Sequence, residues 1–161
     1  TACSSPVKLD ESSNVPVEDR TAGSQSGADP RGVARVDTTQ GGLDPLNDPK
    51  GVLAQRSVYF DFDSYAVSDK FKPLVENHAR FLNSNRNRKI VIEGNTDDLG
   101  GSEYNLALGQ RRSEAVRRMM VLLGVRDDQV EAVSFGKEKP KASGSDESSR
   151  AENRRADIVY R

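Results

Sequence analysis

Apolar positions fall into two regimes along this chain. Up to residue 56 they are sparse and show no helix or strand spacing among Ser, Gly, Asp and Pro; from residue 57 they recur with the spacing of regular structure. Ser57 to Asp63 is rich in aromatic and β-branched residues and is predicted as a strand. Ser68 or Asp69 then offers a helix cap. Phe71, Leu74, Val75, His78, Phe81 and Leu82 follow at three- and four-residue spacing, which predicts one apolar helix face. Pro73 falls near the first turn, where proline costs least. Lys89 to Gly94 reads as a second strand and Asn95 to Gly101 as a polar loop. A second helix is expected from Ser102 to about Leu123, stopped by Gly124. Gln129 to Gly136 and Ala156 to Tyr160 read as further strands, with a loop from Lys137 to Ser149 and room for one helical turn before the last strand.

The order βαβαββ predicts an α+β domain, with helices on one face of a mixed four-stranded sheet. Composition sharpens the boundary. All nine aromatics lie at or after Tyr59, and five of the seven prolines lie at or before Pro49. Residues 1–55 are therefore expected to form a disordered tether, because they cannot bury enough apolar surface to offset chain entropy. Residues 56–161 are expected to fold, with enough chain for one core. The formal net charge of −1 gives no basic excess for nucleic acid. One Cys and one His exclude a disulfide framework and a multi-His or Cys-rich metal centre, and no cofactor is expected. No apolar run is long enough to cross a membrane as a helix.

The second helix carries the most informative anomaly. With Leu108 at zero on a helical wheel, Tyr104, Ala115, Met119, Leu122 and Leu123 fall within ~60° and define the expected core face. Arg112 and Asn105 fall inside the same stripe. A charge there is expensive unless paired. Asp97 and Asp98 lie in the loop just before this helix. Two readings stay open on these grounds. One is a structural Asp–Arg pair tying loop to helix. The other is a site for a ligand bearing both charges, with Arg gripping a carboxylate and Asp accepting from an ammonium.

The run Glu93-Gly94-Asn95-Thr96-Asp97-Asp98-Leu99-Gly100, followed by Glu103-Tyr104-Asn105-Leu106-Ala107-Leu108-Gly109-Gln110-Arg111-Arg112, resembles the OmpA C-terminal-like peptidoglycan-binding domain family. Within that family the likeness is to the peptidoglycan-associated lipoproteins. Val58 to Asp63, Ser134 to Pro140 and Asn153 to Ala156 resemble further motifs, so the likeness spans about 56–161. The family fold is a mixed four-stranded sheet with helices packed on it. Members bind the peptidoglycan stem peptide without covalent chemistry, at its diaminopimelate. The resemblance implies that Asp97 accepts from the ammonium and Arg112 grips the carboxylate. Phe62, Asp63, Thr96, Asn105 and Leu108 would line the same pocket. Replacing Asp97 or Arg112 by Ala is expected to abolish wall binding with little loss of stability. Asn95 stands where many members have His, and Leu99 where a charged residue is usual.

Elsewhere blander expectations apply. His78 should be packed or at an edge, Met119 and Met120 should be core, and one of Arg154 and Arg155 should brace the ligand loop while the other is solvated. Neither Cys3 nor His78 has a partner that makes a nucleophile–base pair, so no enzymatic activity is expected. Cys3 heads the polar segment with no packing reason to be there, and Ala2 before it fits the end of a lipobox. The resemblance implies that Cys3 is lipidated and that the chain is held at the periplasmic face of the outer membrane, which Ser4 after it favours. A tether of about 50 residues would have an r.m.s. reach of roughly 40 Å. The resemblance further implies partners in the Tol system, TolB above all, and a role in envelope integrity and cell division. A Tol-protein interaction module with secondary wall binding is the alternative.

Overall fold

The computed structural model describes residues 42–161. Its regular elements are β1 (Ser57–Tyr59), α1 (Lys72–Ser84), β2 (Ile90–Asn95), α2 (Ser102–Leu122), β3 (Val130–Gly136), α3 (Glu147–Asn153) and β4 (Arg155–Tyr160). The strands form one sheet in the order β1-β4-β2-β3. β2 runs parallel to β3 and antiparallel to β4, and β4 runs antiparallel to β1. The expected α+β architecture is therefore present, with the added helix α3.

Alternation along the strands selects the buried face. Val58, Ile90, Ile92, Val130, Ala156 and Ile158 meet Leu74, Val75, Ala79 and Leu82 of α1 and Val116 and Met120 of α2 in one core. Each such aliphatic side chain contributes roughly 1.5–3 kcal/mol of burial. α2 comes closest to the sheet where neither side has a side chain. A Cβ built on Gly94 would lie 1.8 Å from the carbonyl oxygen of Gly109. That backbone contact fixes the depth of α2 against β2 and β3. At its far end Gly124 takes φ +97°, and the Val125 N–H donates to Met120 O at 3.1 Å, closing the helix as expected.

Four expectations need correction. The first strand stops at Tyr59, not Asp63: Phe60 N–H still bonds Arg154 O, but Ser64 N–H closes a turn on Asp61 O and the chain leaves the sheet. The buried face of α2 is Asn105, Leu108, Gly109, Arg112, Ser113, Val116 and Met120, whereas Tyr104, Leu122 and Leu123 are exposed. Small Gly109 and Ser113, which a hydropathy wheel ignores, mark the true contact line. The loop from Lys137 to Ser149 ends in α3, whose N-cap Asp146 accepts from the Ser149 N–H and from the Ser148 and Ser149 hydroxyls. These bonds hold the Asp146 carboxyl well below the usual carboxylate range, those from Ser148 first and those from Ser149 next.

The fourth correction concerns the tether boundary. Residues 42–55 were expected to belong to the tether, yet they lie on the domain as a strap. Pro45–Asn47 makes a single 3-10 turn capped by Asp44. Asp44 pairs with Arg88, and Leu53 is buried. Buried His78 donates from Nε2 to Gln55 O at 2.7 Å, so its Nδ1 accepts from the Tyr160 hydroxyl, also at 2.7 Å. Burial lowers the His78 pKa. The tether expectation for residues 1–41, and with it Cys3, lies outside the described residues.

Candidate functional site

The candidate residues converge where β2 ends and α2 begins. β2 delivers Asn95, and the chain continues as a loop through Asp97, Asp98, Leu99 and Gly100 into the helix. Thr96 N–H donates to Gly136 O at 2.8 Å, holding the loop's start to the end of β3. Asn105 Nδ2 reaches back to Leu99 O at 2.9 Å, as its place near the helix start suggested. Gly100 takes φ +94°, a left-handed conformation that glycine adopts at no steric cost.

Arg112 lies beneath this loop with 0% of its surface exposed. Its Nε donates to Ser64 O at 2.8 Å, Nη1 to Asn95 O at 2.9 Å and Nη2 to Asp61 O at 3.2 Å. The guanidinium also sits 5.2 Å from the Phe60 ring centroid. Burial pushes its pKa down to about 10, with the nearby Asp97 charge opposing that shift, so it stays cationic at neutral pH. Three carbonyls and one carboxylate's field offset the desolvation of the cation. The open fork expected from the helical wheel is therefore engaged by backbone, and two of its five N–H groups remain outside these three bonds. Replacing Arg112 by Ala should cost stability, contrary to the expectation from sequence.

Asp97 is 5% exposed, and its carboxylate answers to a different arginine. Oδ2 accepts from Arg154 Nη1 at 3.3 Å and Oδ1 from the Leu99 N–H at 3.2 Å. Arg154 also donates to Phe60 O at 3.2 Å and to Glu147 Oε1 at 2.6 Å. Two buried guanidiniums, Arg112 and Arg154, thus hold the 60–64 backbone, and Asp97 lies in the field of both. The simple alternative of a direct Asp97–Arg112 ion pair is not what forms. Arg154 is the bracing arginine. Arg155, expected to be solvated if its neighbour braces the loop, is buried as well, donating to Asp157 Oδ2 at 2.8 Å and Lys139 O at 3.2 Å.

Around these buried charges runs an exposed rim. Phe62 is 63% exposed, and Tyr104, Leu99 and Tyr65 also face solvent. Asp63 sits at φ +53°, which aspartate tolerates, and accepts from the Tyr104 hydroxyl. Arg111 stacks over Tyr65 at 5.7 Å. Thr96 and Leu108 are buried and form wall, not rim. The described residues contain no group of three or more His, Cys, Asp or Glu able to hold a metal, and no helix long and apolar enough to cross a membrane. Lys137, within the Ser134–Pro140 motif, and Arg150, which carried no sequence signal, also touch the loop.

The model of the OmpA family matches residues 59–154. A peptidoglycan-associated lipoprotein of Pseudomonas putida is 41% identical over 138 residues, 85% of this chain and 81% of its own. Another from Pasteurella multocida is 46% identical over 110 residues, 67% of this chain and 73% of its own. The crystal structure of the peptidoglycan-associated lipoprotein from Burkholderia pseudomallei superposes with a TM-score of 0.72 at 64% identity, covering 73% of this chain and all of that one. The C-terminal domain of Helicobacter pylori MotB, at 22% identity and a TM-score of 0.62, shares the fold. By family model, by sequence and by structure, this chain belongs to the OmpA family, among the peptidoglycan-associated lipoproteins.

Proposed function

We propose that this chain binds peptidoglycan non-covalently through the diaminopimelate of the stem peptide and so links the outer membrane to the wall. The observation that carries this reading is a buried carboxylate, Asp97, and a buried guanidinium, Arg112, at one end of the sheet beneath an exposed aromatic rim. Diaminopimelate presents an ammonium and a carboxylate on one carbon. Asp97 accepts from the ammonium, and the two N–H groups of Arg112 outside its backbone bonds serve the carboxylate. For the ligand to reach Arg112, the covering 61–65 segment shifts. Phe62 and Asp63 line the approach, and Thr96, Asn105 and Leu108 support it from behind. The relatives from Pseudomonas putida, Pasteurella multocida and Burkholderia pseudomallei, each a peptidoglycan-associated lipoprotein, support the assignment.

In this reading Cys3 carries lipid, the N-terminal segment is the tether, and the domain searches the wall at raised effective concentration. The role is binding and mechanical, without catalysis, within the Tol–Pal system of envelope integrity and cell division. Asp97→Asn keeps the shape and an acceptor for the Leu99 N–H but removes the charge. It should lose co-sedimentation with purified sacculi while remaining folded at the assay temperature, with a lowered thermal midpoint because Arg112 and Arg154 lose the Asp97 charge. Sedimentation equal to the parent's rejects the site. The exposed Phe62, Tyr65, Leu99 and Tyr104 favour a second use of the same rim by a protein such as TolB. A diaminopimelate peptide should then compete with TolB, and simultaneous binding rejects the shared surface.

A further inference from the structure

The loop that carries Asp97 is also gripped from outside the candidate site. Arg150 of α3 donates from Nε to Asp98 Oδ1 at 2.7 Å. Lys137, just past β3, donates from Nζ to Gly100 O at 3.1 Å. Both partners come from the β3–β4 connection. Arg150 lies in α3 and Arg154 is its C-cap, with the Arg154 N–H bonded to Arg150 O at 3.1 Å, so the helix end places both arginines near the loop. They meet two consecutive carboxylates, Asp98 and Asp97. The pose of α3 is itself fixed, at its start by the Asp146 cap and across its length by the Glu147–Arg154 pair.

Arg154 is buried and belongs to the charge cluster already described. Arg150 differs. Its side chain is 24% exposed and that of Asp98 is 53% exposed, so the pair is placed to contribute little to global stability. Its geometric effect is local. The Asp98 tie and the Lys137 tie fall on either side of Leu99, whose N–H closes on Asp97 Oδ1. Rotation of this short segment would swing the Asp97 carboxylate, and the two outer ties oppose it. A loop ordered before binding gives up less conformational entropy when ligand arrives.

We propose that Arg150 is a positioning residue for ligand recognition, acting through Asp98 and together with Lys137 to preset the 97–100 loop. The proposal rests on the peptidoglycan reading above. It assigns α3 a purpose: a short brace that carries the two arginines to the two aspartates. Arg150 itself touches no ligand.

The test uses the full chain and the tripeptide L-Ala-γ-D-Glu-meso-diaminopimelate as probe. Arg150→Ala should bind the peptide but release it about fivefold faster, the upper range for an exposed ion pair, with a thermal midpoint within about 2 °C of the parent. Amide exchange at Leu99 in the free protein should quicken alongside. Asp98→Arg and Arg150→Asp should each release faster too, and the double charge swap should return the rate to within about twofold of the parent, which a merely destabilised fold would not do. If the parent binds and Arg150→Ala releases at the parent's rate, or the swap gives no recovery, the brace is rejected while the site stands. If the parent does not bind the tripeptide, the site fails and the brace with it.

Discussion

The two ends of the β2 strand are built on opposite principles. At its start, around Ile90, α1 and the 42–55 strap meet aliphatic side chains, and the buried polar groups are neutral: Tyr160 links through His78 to Gln55, and Gln129 donates to the carbonyls of Leu82, Asn85 and Arg88. At its finish, past Asn95, the interior holds charge: Asp97, Arg112 and Arg154, bonded mostly to backbone carbonyls. The first end relies mostly on shape and burial, with neutral hydrogen bonds. The second must keep its buried charges compensated, because an unpaired charge there is costly. The charged groups thus concentrate at one pole of the domain, and neutral packing at the other.

The contrast can be broken at its hinge. Gly94→Ala places a methyl 1.8 Å from Gly109 O, a contact that only a shift of α2 relieves. Because α2 serves both ends, the variant should lose about 4 kcal/mol or more, and chemical denaturation should show both ends failing together. A stable Gly94→Ala protein would mean that α2 slides freely over the sheet.

Arg112→Ala should strike the polar end alone at first. It strands the carbonyls of Asp61, Ser64 and Asn95 and leaves a void, at a cost of about 3–5 kcal/mol. Amide exchange should accelerate through 61–65 and 96–101 before it does around His78. Equal acceleration everywhere would erase the distinction between the two poles.

The smallest effect belongs to the apolar end. His78 has its pKa lowered by burial, so the native state holds the neutral ring more tightly than the unfolded chain does. Its contribution is complete above the ordinary histidine value and falls away as pH drops below about 6.5. The denaturation midpoint should decline between about pH 7 and pH 5, and His78→Gln should flatten that slope. An unchanged slope in the variant would transfer the pH dependence to other groups.

How much of this was legible beforehand follows from what each feature depends on. Strands and helices announce themselves through periodicity, so β2, α1 and β3 lie within a residue or two of their expected limits. The face of α2 did not, since Gly109 and Ser113 dock closest while carrying no apolar signal, and exposed Leu122 and Leu123 carry a strong one. α3 presents no apolar stripe, so only a single helical turn was expected before the last strand. Among the described residues of the strap, Leu53 is the buried apolar side chain, and the strap's other ties, Asp44 to Arg88 and Gln55 O to His78, are polar. The candidate residues came from the resemblance, yet the state of Arg112 could not be read from it. Its partners are main-chain carbonyls, which every residue supplies and no side-chain pattern reveals.

The strap has a mechanical corollary. It joins the domain beside Arg88, at the foot of β2, while Asp97 stands at the head, about 20 Å away for a strand of this length. A pull on residue 42 would meet in turn the Asp44–Arg88 pair, the seated Leu53 and the Gln55–His78 bond before it reached the β1–β4 pairing.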